Sequence, residues 1–102
     1  MASRLKLHEE FCELLENRNV YFQPPESVKL KYPCIVYSLK GLDKRNANNA
    51  LYKSMRRYQA TVIDRDPDSE IPEKLLNNYQ MCSLDNSFVK DNLNHFNLTL
   101  YY

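Results

Sequence analysis

Leu7, Phe11, Leu14 and Leu15 recur at helical spacing while Glu9, Glu10, Glu13 and Glu16 take the remaining positions, which predicts an amphipathic helix over about residues 4–16. Asn17 and Asn19 end it. Val20-Tyr21-Phe22 is a short β-type run, and Gln23-Pro24-Pro25-Glu26-Ser27 after it is a loop, because adjacent prolines remove backbone donors. From Tyr32 the pattern alternates: Ile35, Tyr37 and Leu39 share one face of a predicted strand, and Cys34, Val36 and Ser38 share the other. Pro33 belongs at the strand's beginning or on an edge.

Lys40 to Asn49 is polar and holds the chain's only glycine, so it reads as a projecting loop, longer than a tight hairpin turn. A second strand covers about Lys53 to Asp64, with Tyr58, Ala60 and Val62 facing one way and Arg57, Gln59, Thr61 and Ile63 the other. Asp66-Pro67-Asp68-Ser69 is a turn. Pro72 near a first helical position, followed by Leu75, Leu76 and Tyr79, predicts a short second helix capped by Ser69 or Asp68. Met81–Val89 and Asn94–Tyr102 read as two strands joined across Lys90-Asp91-Asn92-Leu93. In the last strand Phe96, Leu98, Leu100 and Tyr102 alternate with His95, Asn97, Thr99 and Tyr101. The order predicts one α+β domain over residues 1–102, with a largely antiparallel four- to five-stranded sheet and two helices gathered mainly on one face.

Length and composition narrow the function classes. With 102 residues, 43% hydrophobic, 26% charged and a net charge of +1, the chain has room for one core and is not a disordered tail. A domain this small buries roughly 60–70% of its unfolded surface, so a partner subunit adds useful stability. No apolar run approaches a membrane span, and the acidic first helix is unlike a signal peptide, so the reading is a protein without a membrane partner, made and kept in the cytosol. Cys12, Cys34 and Cys82 are odd in number and widely separated. They read as small reduced hydrophobes, with no Cys-x-x-Cys pair for a metal or redox motif. Asn97-Leu98-Thr99 fits a glycosylation sequon, which has no consequence without secretion.

Candidate chemistry is sparse. Asp64-Arg65-Asp66-Pro67-Asp68-Ser69-Glu70 resembles the opening of a calcium loop, but Ser69 and Leu75 stand where such a loop needs Gly and Glu. The segment reads as a solvated acidic turn before a helix N-terminus; a metal-dependent hydrolase built on Asp66 is the remote alternative. His8 stands one helical turn from Cys12, without an oxyanion hole, and His95 lies on the outer face of the last strand; both read as structural or solvent-facing. One glycine excludes Gly-rich phosphate loops and nucleophile elbows. No cofactor, metal site or catalytic constellation is expected. Charge, however, is uneven. Between Lys29 and Arg57 stand eight basic residues (Lys29, Lys31, Lys40, Lys44, Arg45, Lys53, Arg56, Arg57) against one acid, Asp43, interleaved with Tyr32, Tyr37, Tyr52 and Tyr58. Such a segment suits either an acidic protein partner or, as the alternative function, nucleic acid.

Tyr32-Pro33-Cys34-Ile35-Val36-Tyr37, the polar segment ending Asn48-Asn49-Ala50-Leu51-Tyr52, and Arg56-Arg57-Tyr58-Gln59-Ala60-Thr61-Val62-Ile63-Asp64 together resemble the tail-completion proteins of long-tailed bacteriophages. Asp66-Pro67-Asp68-Ser69-Glu70-Ile71-Pro72-Glu73-Lys74-Leu75-Leu76 and the closing segments Asp91–His95 and Leu98–Tyr102 resemble the same family of tail terminators and head-to-tail joining proteins. The resemblance spans nearly the whole chain after the first helix. It implies a structural, non-enzymatic virion protein of a phage or prophage, assembled in the host cytoplasm and carried in the tail. Such a protein forms a ring with itself, commonly of six subunits, that caps the tail-tube protein and meets the head connector, with DNA only passing through the lumen. Lys44, Arg45, Lys53, Arg56 and Arg57 are then expected as charged contacts to a neighbouring subunit or the tube, and Tyr32 and Tyr52 as interface aromatics.

Overall fold

The computed structural model of the chain describes residues 4–46 and 52–102, with side chains described outside 43–54. Helix α1 (Arg4–Leu15) is followed by β1 (Val20–Phe22), β2 (Cys34–Asn46), β3 (Tyr52–Asp64), α2 (Ile71–Asn78), β4 (Cys82–Lys90) and β5 (Leu93–Tyr101). The strands form one sheet in the order β1-β2-β3-β5-β4. Only the β1–β2 pair is parallel, so the expected α+β domain with a largely antiparallel sheet is the observed one.

The helices lie over one face because that face carries the apolar alternation. Leu7, Phe11 and Leu15 of α1 and Ile71 and Leu75 of α2 meet Ile35, Tyr37, Tyr58, Ala60, Val62, Leu98 and Leu100 of the sheet in a single core. Burying each large apolar side chain of this kind contributes about 1.5–3 kcal/mol. Phe11 packs edge-on against Tyr37 and Tyr79, with ring centroids 5.1 and 6.0 Å apart. The opposite face is polar over most of its area, except that Cys34 and Ile63, directly opposed in register, are buried there too.

Local chemistry sets the element ends. Glu16 takes a positive φ of 64° just after α1, and Asn17 Oδ1 accepts the Asn19 amide. Before α2 the carboxylates of Asp64 and Asp66 accept the amides of Asp66 and Asp68, and Ser69 Oγ accepts that of Ile71. The acidic turn therefore spends its side chains on its own backbone. The N-cap is Glu70, which makes no side-chain capping bond, so neither Ser69 nor Asp68 caps the helix as expected; Ser69, one position earlier, accepts only the Ile71 amide. Asp91 and Asn92, at φ 55° and 62°, make the two-residue reversal between β4 and β5.

One expectation is corrected. The polar segment from Lys40 onward is not a loop as far as Asn46: β2 continues through it, and β3 begins at Tyr52, with pairs running from Leu42↔Arg56 to Asn46↔Tyr52. Backbone pairing does not require apolar alternation, so the ladder persists after the pattern has vanished. The expected loop residues 47–51, including Asn48 to Leu51, lie outside the described residues.

Candidate assembly interface

The β2–β3 hairpin is longer than the sheet it belongs to. The last rung joining β3 to the chain's end is the reciprocal backbone pair of Arg56 with Tyr102, at 2.9 and 3.2 Å. Beyond it the hairpin is two-stranded. Four residues of β2, Asp43 to Asn46, lie past the Leu42↔Arg56 pair and span about 13 Å at strand rise, and the molecule measures 50 × 25 × 22 Å.

Before the arm begins, the register of β2 on β3 shifts at a bulge between Leu39 and Gly41. A Cβ on Gly41 would come within 2.7 Å of Arg57 Nη2, so the one glycine leaves room for that guanidinium across the backbone. Arg57 in turn reaches the Lys40 carbonyl at 3.5 Å. With Gln59, Thr99 and Tyr101 these residues line a shallow depression of about 310 Å³ on the face away from the helices.

On that same face short side chains bind β4 to the sheet. Thr61 Oγ1 donates to Asn97 Oδ1 and Asn97 Nδ2 donates to Asn86 Oδ1, each at 2.7 Å. Thr99 donates to Asp85 at the second register shift. His95 stacks on Phe88 with ring centroids 4.6 Å apart. The outer edge of β4 has no partner strand among the described residues, and every residue from Ser83 to Lys90 is exposed. Leu84, Phe88 and Val89 are apolar yet 46%, 46% and 66% exposed. At the other end of the sheet order, β1 covers β2 only from Ile35 to Tyr37, and Gln23 Oε1 accepts the Leu39 amide. Past that point the outer edge of β2 is open.

Arg4 Nη1 donates to the Tyr37 hydroxyl, which donates to His8 Nδ1 at 2.7 Å. Burial first, then the Arg4 charge, holds His8 below its ordinary range. Burial pushes the Cys34 thiol up to about 12, with Asp64 adding to it, and the Cys82 thiol up to about 11, with Asp85 adding to it. Burial raises Cys12 as well. Such thiols are not nucleophiles at neutral pH. No group of three or more His, Cys, Asp or Glu residues is placed to hold a metal ion among the described residues, and no described helix is long and apolar enough to cross a membrane.

The sequence-derived interface residues divide between two ends of the molecule. The backbones of Lys44, Arg45, Tyr52 and Lys53 lie in the arm, where Arg45 is the register partner of Lys53; their side chains lie outside the described residues. Arg56 is exposed and Arg57 half-buried at the arm's base. Tyr32 is not with them. It precedes the other end of β2, half-buried, with the Arg65 guanidinium 5.9 Å from its ring centre. Sequence reasoning missed the exposed Leu84, Phe88 and Val89, which the register divides between the two faces of β4, because a strand's own pattern does not say which strand ends up at the edge. Neither the protein-family models nor the curated proteins compared with this chain include a match to it.

Proposed function

We propose that this is a structural assembly protein of the kind its sequence resembles: a phage or prophage tail terminator or head-to-tail joining protein. In this reading it forms an oligomeric ring that caps the tail tube and meets the head connector. The observation that carries the reading is the two-stranded basic arm projecting from a domain that also keeps a long open sheet edge. A projecting arm and an open edge serve contact between subunits. The work is done by surface complementarity, without a covalent step, and the lumen of the ring would pass DNA. Electron microscopy of the purified protein, alone and with assembled tail tubes, tests it: annuli of one size, or a density capping tube ends, is the expected result. A protein that forms no rings and leaves tube ends bare overturns it.

The competing reading is a nucleic-acid-binding module, favoured by the arm's basic residues, of which Arg45 and Lys53 are register partners. It predicts binding to generic duplex or single strand that falls steeply with salt and is lost in Arg56→Ala/Arg57→Ala.

A further inference from the structure

The two open edges lie on opposite sides of one sheet, and they differ in charge. From Lys40 to Arg57 the hairpin carries six basic residues and one acid. The segment Asp64 to Asp91, which contains α2 and β4, carries seven acids and three basic residues. Of those acids Asp66, Asp68, Glu70, Glu73, Asp85 and Asp91 are exposed; of the basic residues Arg65 and Lys90 are exposed and Lys74 is engaged with Glu16 at 3.5 Å.

We propose that copies of this chain join head to tail, the open β2 edge of one arm adding as a further strand to the β4 edge of the next copy. This deepens the assembly reading and rests on it. The lengths suit: β4 offers nine residues, Cys82–Lys90, and the arm's edge runs over Lys40–Asn46. Backbone pairing supplies affinity in such strand addition, and alternate side chains supply specificity. Leu84, Phe88 and Val89 give the seam apolar area, and the arm contributes Leu42, itself 66% exposed.

Charge favours the unlike pairing. Pairing arm with arm gathers the hairpin's excess of cations on one seam, whereas β4, which carries Asp85 and Lys90 and is followed by Asp91, offers the arm no such repulsion. β1 is an unsuitable seam because it is three residues long and runs into Pro24 and Pro25. A head-to-tail interface closes into a ring when its rotation allows, so one kind of contact repeats around the annulus.

Mixing two blocked chains tests the seam by sedimentation velocity. The arm variant is Lys40→Glu/Lys44→Glu, on the β2 edge itself; the edge variant is Leu84→Lys/Phe88→Lys, with Val89→Lys as a second edge variant that leaves the Phe88–His95 stack intact. Circular dichroism verifies each fold. The wild-type chain associates with rising concentration and less so in high salt, while each variant alone is monomeric. A mixture of arm and edge variants gives a one-to-one heterodimer that grows no further, since each chain retains the half the other lacks. An arm variant that still associates alone, or a mixture that stays monomeric while the wild type associates, overturns the seam and leaves assembly through another surface standing. A wild-type chain that stays monomeric at every concentration overturns the seam, and the tail-tube experiment above then decides the assembly reading separately.

Discussion

The Tyr102 hydroxyl donates a 2.6 Å hydrogen bond to Glu10 Oε2, tying the chain's last residue to its first helix. The other carboxylate oxygen accepts from Tyr79, just past α2, at 2.9 Å. One acid on α1 thus holds α2 and the end of the sheet together. Tyr102 also forms the last backbone rung with Arg56, at the root of the arm. The contact that closes the domain therefore sits where the arm begins.

Burial first, and the Glu10 carboxylate second, raises the Tyr102 hydroxyl from 10.0 to about 12. The same two causes, in the same order, raise Tyr79. Between pH 10 and 12 the folded chain therefore holds more protons than the unfolded one, and stability falls as pH rises through that window. Denaturant titrations at a series of alkaline pH values check this. Tyr102→Phe is expected to cost about 1 kcal/mol at neutral pH and to flatten the alkaline loss; an unchanged pH profile counts against the assignment.

Acid acts through a different pair. Because His8 Nδ1 accepts the Tyr37 hydroxyl and its folded-state value lies below 6.5, the unfolded chain takes up the proton more readily than the folded one. Stability present above pH 6.5 is lost as pH falls through the lowered value. Comparing the acid limbs of wild type and His8→Ala by thermal unfolding isolates this contribution, with His95→Ala as a control that retains it.

Tyr58 offers a stabilising substitution. Its hydroxyl is buried with no hydrogen-bond partner among the described residues, and an unsatisfied buried hydroxyl is unfavourable. Tyr58→Phe is expected to leave stability unchanged or raise it by about 1 kcal/mol. Tyr37→Phe, which strips a partner from Arg4 and His8, is expected to lower it by about 1–2 kcal/mol. Chemical denaturation of the two variants gives opposite signs if the assignment is right.

The three free cysteines are expected to resist a thiol-specific reagent in the folded protein at pH 8, since burial raises all three thiols. All three react at once in denaturant. Rapid labelling of one thiol in the native state would show a more open surround than the one described.

How much of this was legible in the residues depends on which faces are buried. Both helices, the Ile35/Tyr37/Leu39 face and the Phe96/Leu98/Leu100/Tyr102 alternation were readable because one side of each element is dry and the other wet. The acidic turn was readable as a turn, and its Asx bonds follow from aspartates placed two apart. The arm was not readable: its residues carry no hydrophobic period, and Lys40–Asn46 looked like a loop. Nor did the tyrosines sort themselves, since Tyr32 and Tyr52 stand at opposite ends of a hairpin whose 13-residue strands are each about 40 Å long.

The amino-acid order by itself determined the order and kind of the elements, the inward faces of α1, β2, β3 and β5 and the uneven charge, because these follow from local periodicity and residue type. Only the tertiary structure decided that β5 inserts between β3 and β4, leaving β4 with an unpaired edge, and that the arm's open edge lies on the other side of the sheet. Strand order is set by which faces the two helices can cover together. That long-range packing choice is written in no single segment.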